Sequence, residues 1–282
     1  MATAPAETSQ RGFRLPGLVG RGRRGWSPAS AAAMSGPARI VAGCLGIVLV
    51  LAIWQVLSDT GTINPLIWSS PKEVWEAFRG MVSDGTLWPA CWSSLRLFFW
   101  GFLIAAVGGV GIGIVLGWYK RIGAIFDPWV SMLYAAPRVG LIPIIIGAAG
   151  IGSRSQIIVV VISAAFPIII NTAVGVDAVE PAYVRTAQSF LAKNRDVLRG
   201  IALPGAMPLI FAGLRQGLTA GLIGVVIAEY FLGNEGVGGL IIAASGSGRP
   251  AQAFVGAFLF AIAAVIFTSI LRFIERRVSK WH

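Results

Sequence analysis

Residues 40–57, IVAGCLGIVLVLAIWQVL, run for eighteen positions without a charged side chain, and runs of this kind recur along the chain. Crossing the hydrocarbon core of a bilayer takes about 20 mostly apolar residues in a helix. Composition agrees: the 282 residues are 56% hydrophobic and only 12% charged, where a soluble domain carries about 25% charged residues. The chain is therefore expected to be an all-α polytopic membrane protein with about six transmembrane helices.

The runs can be placed in order. After the first comes a loop whose segment SSPKEVWEAFRGMVSDG opens on Ser and Pro and spaces Val74, Phe78 and Met81 like a helix. That pattern predicts a short amphipathic helix with Pro71 in its first turn. A second span is expected over about 94–118 and a third over about 125–149. The third contains Pro137 and Pro143, so a kink or break in mid-membrane is predicted. A fourth covers IIVVVISAAFPIIINTAVGV, a fifth about 209–231 and a sixth about 253–270. The stretch LGNEGVGGLIIAASGSGRP reads as a loop between the last two. Residues 1–36, rich in Ala, Gly, Pro, Ser and Arg without apolar periodicity, read as a disordered basic tail. Residues 37–282 form the membrane domain.

The net charge of +11 would suit nucleic-acid binding only if it were gathered on a soluble face. Here it is spread between apolar spans, so no nucleic-acid partner is expected. It fits membrane sorting instead, where Lys and Arg are retained on the cytoplasmic side. With six spans, the N-tail, the 119–121 turn, the 184–199 region and the C-tail share one side and hold 16 of the 23 basic residues. Both termini and that region are expected in the cytoplasm of a bacterial cell, the protein being multi-pass in the inner membrane among its lipids. The same charge would suit a role for the basic tail at the anionic inner leaflet. Two cysteines without paired spacing and one terminal histidine, His282, predict no metal site and no catalytic constellation.

Two spans carry glycine at every fourth position, Gly109, Gly113 and Gly117 in one, Gly213, Gly217 and Gly221 in the other. Small residues at this spacing let helix backbones approach closely in lipid; they could equally line a path that opens and closes. Arg96, Arg138 and Arg215 lie within or at the rims of spans, where a charge costs a few kcal/mol and marks a partner or a pathway. Arg138, following Pro137 at the expected kink, is the first choice for a pathway residue, and Glu229 is a candidate partner for one of the arginines. The other reading is that these arginines reach to headgroups or pair structurally.

The stretch VRTAQSFLAKNRDVLRGIALPGAMP interrupts the oily sequence with Arg185, Lys193, Arg195 and Arg199 against one acid, Asp196. It reads as two short helices: one from Pro181 to about Phe190, the second capped by Asn194, covering 195–202 and stopped by Pro204. Val184, Ala187, Phe190 or Leu191, Val197, Leu198 and Ile201 supply an apolar stripe, suited to docking in another protein's groove or to lying on lipid.

This island resembles the cytoplasmic loop motif of ABC importer permeases: Glu-Ala-Ala, three residues, Gly, nine residues, Ile-x-Leu-Pro. The end matches as Ile201, Leu203 and Pro204, which puts Leu191 at the Gly position and Arg185, Thr186 and Ala187 at the triplet. SSPKEVWEAF, FPIIINTAVGVDAVEPAYVRTA and LPGAMPLIFAGLRQGLTAGLIGVVIAEYFLGNEGVGGLI are similar to permeases of the nitrate, sulfonate and taurine group. The resemblance covers about residues 40–275 and implies a type I ABC importer permease fold. It also implies a homodimer, two ATPase subunits contacting the loop of about 176–205, and an external solute-binding protein. The chain has no Gly-x4-Gly-Lys-Ser/Thr loop, so it is expected to bind no cofactor itself, ATP and Mg being held and ATP hydrolysed by the partner. The implied substrate is a small organic or inorganic anion such as a sulfonate, nitrate or aromatic acid. Two positions depart from the motif: Arg185 reverses the acid's charge, and Leu191 replaces a glycine suited to the left-handed backbone that ends many helices. Either the turn takes another geometry or it tolerates strain. An ATP-independent transporter or channel, and a non-transporting membrane scaffold, are the alternatives.

Overall fold

The computed structural model describes residues 36–61, 64, 68–233 and 235–278. The tail expected over 1–36 lies, but for Gly36, outside them, as do Lys280 and His282. By contacts the chain divides into two units, 1–51 and 52–282. The first is described only as the start of α1, Gly36–Asp59, and every later element belongs to the second.

Among the described residues every regular element is helical. After α1 come α2 (Pro71–Ser83), α3 (Leu87–Trp118), α4 (Lys120–Ala135) and a 3-10 turn (Arg138–Leu141). Then come α5 (Ile142–Ala149), α6 (Ser153–Asp177), α7 (Pro181–Ser189) and α8 (Asn194–Val197). A π turn (Leu198–Ala202), α9 (Leu203–Leu232), α10 (Val237–Gly246) and α11 (Pro250–Val278) complete the order. Five helical stretches are long and apolar enough to cross a membrane, and α4 with the 138–149 segment makes a sixth if that bent pair counts as one span. The bend is 98° and falls at Ala136, whose extended backbone precedes Pro137. The residue before a proline is disfavoured in the helical region, so the break follows from the sequence.

The predicted amphipathic helix is α2, and its start is fixed by reciprocal bonds. The Glu73 N–H donates to Ser70 Oγ at 3.2 Å and the Ser70 N–H donates to Glu73 Oε2 at 2.9 Å. This capping box satisfies two otherwise orphaned helix-end donors. Val74 and Met81 then turn into a cluster with Leu87 and Val255.

The core is organised around α6, against which both glycine stripes pack. A Cβ at Gly109 would come within 3.0 Å of Ile168 Cγ2, and one at Gly113 within 2.6 Å of Thr172 Cβ. From α9, a Cβ at Gly213 would come within 2.8 Å of Asn171 Cβ and one at Gly217 within 2.6 Å of Ile168 Cγ1. Of the two readings of the stripes, close helix packing is the one these contacts support. Ile168, Ala164 and Val160 are consequently sealed, and Phe98 stacks on Phe102 at 5.4 Å and on Phe267 at 5.0 Å beside them.

Several boundaries differ from the sequence reading. Helix α3 begins at Leu87, a turn and more before Ser94, because Leu87 and Ala90 are buried there. The apolar part of the expected 232–250 loop is helix α10, too short to span. Asn194 is the first residue of α8 rather than its cap; the cap position is Lys193, whose N–H donates to Asp196 Oδ2 at 3.3 Å. Pro204 does not end a helix. It lies in the first turn of α9, and the chain is continuously helical from Asn194 to Leu232. The π turn makes this possible: Leu203 N–H bonds back five residues to the Leu198 carbonyl. The wider turn relieves the clash a proline ring makes with the carbonyl four residues earlier.

Candidate functional site

The break at Ala136–Pro137 lies at a cleft of about 660 Å³ between the 3-10 turn, α6 and α9, its walls mostly apolar with a few polar groups. Tyr134, Arg138, Pro167, Arg215, Gln216 and Thr219 are among its walls. Extended Pro137 ends the straight run of α4 and places Arg138 at the start of the turn. The Arg138 guanidinium lies over the Tyr134 ring, 5.8 Å from its centroid, a cation–π arrangement. Its Nε is buried and has no hydrogen-bond partner among the described residues. Arg215, one wall further, is held by Glu275 of α11, Nη2 to Oε2 3.5 Å. Asn171 Nδ2 donates to Gln216 Oε1 at 3.0 Å, which leaves the Gln216 amide group as a donor. The cleft thus combines one paired cation, one cation with an unused donor, and uncharged donors, a set suited to oxygen-rich ligands.

Of the five residues predicted for a pathway, Arg138 and Arg215 line this cleft, and Pro137 sits at the break just before Arg138 without lining it. Arg96 is exposed on α3 and does not line it. Glu229 corrects its expectation: among the described residues it is bonded to no arginine. It is 1% exposed, accepts from Ser94 Oγ at 2.6 Å through Oε1 and from the Gly238 N–H at 2.7 Å through Oε2. Ser94 Oγ in turn accepts from the Val237 N–H at 2.9 Å. The first two amides of α10 are therefore capped from α3 and α9. A helix start carries unpaired donors and partial positive charge, so it answers a buried carboxylate as a cation would. A side chain at Gly236 would overlap the carboxylate, which explains the small residue there. Ser94 and the start of α10 were not singled out from sequence; the available signal was a glycine-rich GVGG seven residues after an intramembrane acid.

The basic island forms the predicted hairpin. Helix α7 ends with the Leu191 N–H bonded to the Gln188 carbonyl at 2.9 Å and the Ala192 N–H to the Ala187 carbonyl at 3.1 Å. That is a Schellman ending, and Leu191 takes its left-handed position at φ +57°. The turn keeps the geometry glycine would give it and bears the strain, on the order of 1–2 kcal/mol for a residue with Cβ. Arg185 and Thr186 are exposed on α7, Ala187 half-buried, and Arg185 makes no ion pair among the described residues. At the other end Ile201 and Leu203 are half-buried and Pro204 exposed, while Ala202 is sealed and Ala206 is sealed in a cluster with Val176 and Ile210.

Fold and cleft together define a multi-spanning helical membrane protein whose broken span carries an arginine in a cleft. Residues 109–280 match the family described as the binding-protein-dependent transport system inner membrane component. An aliphatic sulfonates transport permease of Bacillus subtilis is 30% identical over 233 residues, 83% of this chain and 84% of its own length. The taurine transport system permease of Escherichia coli is 28% identical, covering 83% of this chain and 87% of its own. The nitrate import permease of Synechococcus elongatus is 31% identical, covering 82% and 87%. Among solved structures, the inward-facing methionine ABC transporter superposes with a TM-score of 0.58 at 18% identity, covering 67% of this chain and 94% of its own. An amino acid ABC transporter gives 0.58 at 17% identity, covering 71% and 98%. The chain belongs to the binding-protein-dependent transport system inner membrane component family. It is the permease subunit of an ABC importer, with the type I permease fold, multi-pass in the inner membrane. Such permeases work with an ATPase, to which ATP hydrolysis belongs, and with a binding protein.

Proposed function

We propose that this permease passes a small anion, of the sulfonate, nitrate or aromatic-acid kind, along the cleft beside Arg138. The observation that carries the reading is the buried Arg138 Nε without a hydrogen-bond partner among the described residues. An unmet donor on a charged group costs more than the 1–3 kcal/mol of a neutral one, and an entering oxyanion supplies the acceptor. Arg215 is already neutralised by Glu275, so Arg138 is the cation left for the substrate. The relatives are named for sulfonates, taurine and nitrate, all of which carry anionic oxygen groups.

The cleft is open on one side, and a half-buried arginine facing hydrocarbon is unfavourable. A second copy of the chain across that opening, as in a homodimer, closes the path between two equivalent arginines. The 176–205 loop, with Arg185, Thr186, Ala187, Leu191, Ile201, Leu203 and Pro204, contacts the ATPase on the cytoplasmic side, one ATPase per permease. Arg185, exposed and unpaired where the motif has an acid, meets an acidic groove. If Arg185→Glu leaves assembly and ATP-driven transport unchanged, that contact is wrong.

The cleft is tested by uptake in reconstituted transporter. Arg138→Gln should lower anion uptake at least tenfold while ATPase assembly is retained, and Arg96→Gln should leave both unchanged. Full anion uptake by Arg138→Gln would remove Arg138 from the path.

A further inference from the structure

The tip of the hairpin between α7 and α8 carries two features that the fold itself does not require. Leu191 holds the left-handed conformation, where glycine would meet no Cβ clash. It is also 91% exposed, and its neighbour Phe190 is 82% exposed. Neither belongs to a membrane-spanning helix, so burial in the hydrocarbon core does not account for this exposure. The rest of the island's apolar stripe is at least partly covered within the chain: Val197 is sealed, and Val184, Ala187, Leu198 and Ile201 are half-buried. Around the tip stand exposed Arg185, Lys193 and Arg195. The nearby acid, Asp196, is engaged by the Lys193 N–H. Backbone strain persists where the surrounding function requires it, and exposed apolar side chains inside a polar rim mark a contact surface.

We infer that Phe190 and Leu191 form an apolar knob that enters a pocket of the partner ATPase, with an apolar floor and an acidic rim, and that this fit selects which ATPase the permease accepts. The inference rests on the reading of the 176–205 loop as the ATPase contact. A fluid headgroup region rewards apolar area and cationic charge but not a fixed orientation, and it would accept an unstrained turn with its leucine elsewhere. The two Schellman bonds fix the direction of both side chains, which matters only to a partner of fixed shape. The charge-reversed triplet and the apolar residue at the glycine position are then parts of one complementary surface.

The test uses the full chain in lipid nanodiscs and the separately purified ATPase subunit of the same transporter. Leu191→Gly removes strain, so the melting temperature of the free permease should hold or rise, while ATPase affinity falls at least tenfold. Phe190→Ser should weaken the ATPase comparably. A purely structural turn would bind as well or better with glycine. If both variants bind like the parent chain, the knob is overturned while the loop assignment stands; if the parent chain does not bind that ATPase, the loop assignment itself fails. An environment-sensitive dye at Phe190→Cys, in a Cys44→Ser, Cys91→Ala background, separates the lipid alternative. Its emission should shift to the blue on adding ATPase. Emission already blue in the nanodisc and unmoved by ATPase would put the tip in lipid and overturn the inference.

Discussion

At the scale of single residues the decisive side chains are those whose charge has no charged partner. Glu229 is sealed among α3, α9 and α10, and its carboxylate is answered by one hydroxyl and one helix-start amide. Hydrogen bonds to a charged group contribute about 1.5–3 kcal/mol each. Glu229→Ala would strand Ser94 and the Gly238 N–H, and should destabilise the protein by about 2–4 kcal/mol. Glu229→Gln keeps an oxygen for Gly238 and should cost about half as much; thermal unfolding of the purified permease in detergent ranks the two. An equal loss in both would mean that the capping bonds contribute little. The sequence pointed to an arginine for Glu229 because only side-chain charges have letters. Backbone amides at a helix start act as donors too, and no residue type announces them. Arg138 was singled out because it directly follows a proline at the expected break, and it does line the cleft there.

At the scale of elements, glycine spacing and proline position were read correctly wherever one dominant effect decided the outcome. The stripes of α3 and α9 predict close packing, and five of the six stripe glycines face a neighbouring helix at distances a Cβ would crowd, Gly221 alone having room for one. The contrast within α3 makes this testable. Gly113→Ala brings a Cβ within 2.7 Å of the Ile169 carbonyl oxygen, backbone that cannot yield, and should destabilise by about 1–3 kcal/mol. Gly111 on the same helix has nothing within 4 Å of its would-be Cβ, so Gly111→Ala should be neutral or stabilising by up to about 1 kcal/mol. Melting temperatures of the pair should move in opposite directions, and a common drop would contradict the packing account. Pro137 broke its span as expected, yet Pro204 did not stop its helix. The difference lies in what precedes each: the extended Ala136 offers no helical carbonyl to continue from, whereas the π turn before Leu203 widens to admit the ring. Helix α10 escaped detection because ten apolar residues after glycines carry neither the length of a span nor a side-chain cap of their own; its caps come from Ser94 and Glu229, on other helices.

At the scale of the whole molecule, one geometric choice sets everything else. The pair α4 and 138–149, bent by 98°, either crosses the bilayer once or turns back to the side it entered. If it crosses, the chain has six spans, and the termini and the island share one side with most of the basic residues. If it turns back, the island and the C-terminal end of α11 fall on the outer side, where Arg185, Lys193, Arg195, Arg276 and Arg277 would oppose the retention of positive charge. On this charge distribution the crossing is the predicted topology, and single cysteines in the Cys44→Ser, Cys91→Ala background can test it. With an impermeant maleimide on intact cells, Ile151→Cys, exposed in the turn before α6, should label at once. Thr186→Cys on α7 should label only after the membrane is opened. The reverse pattern would turn the bent pair into a re-entrant loop, and with it the cleft beside Arg138 would open to a single face rather than lie on a route through the membrane.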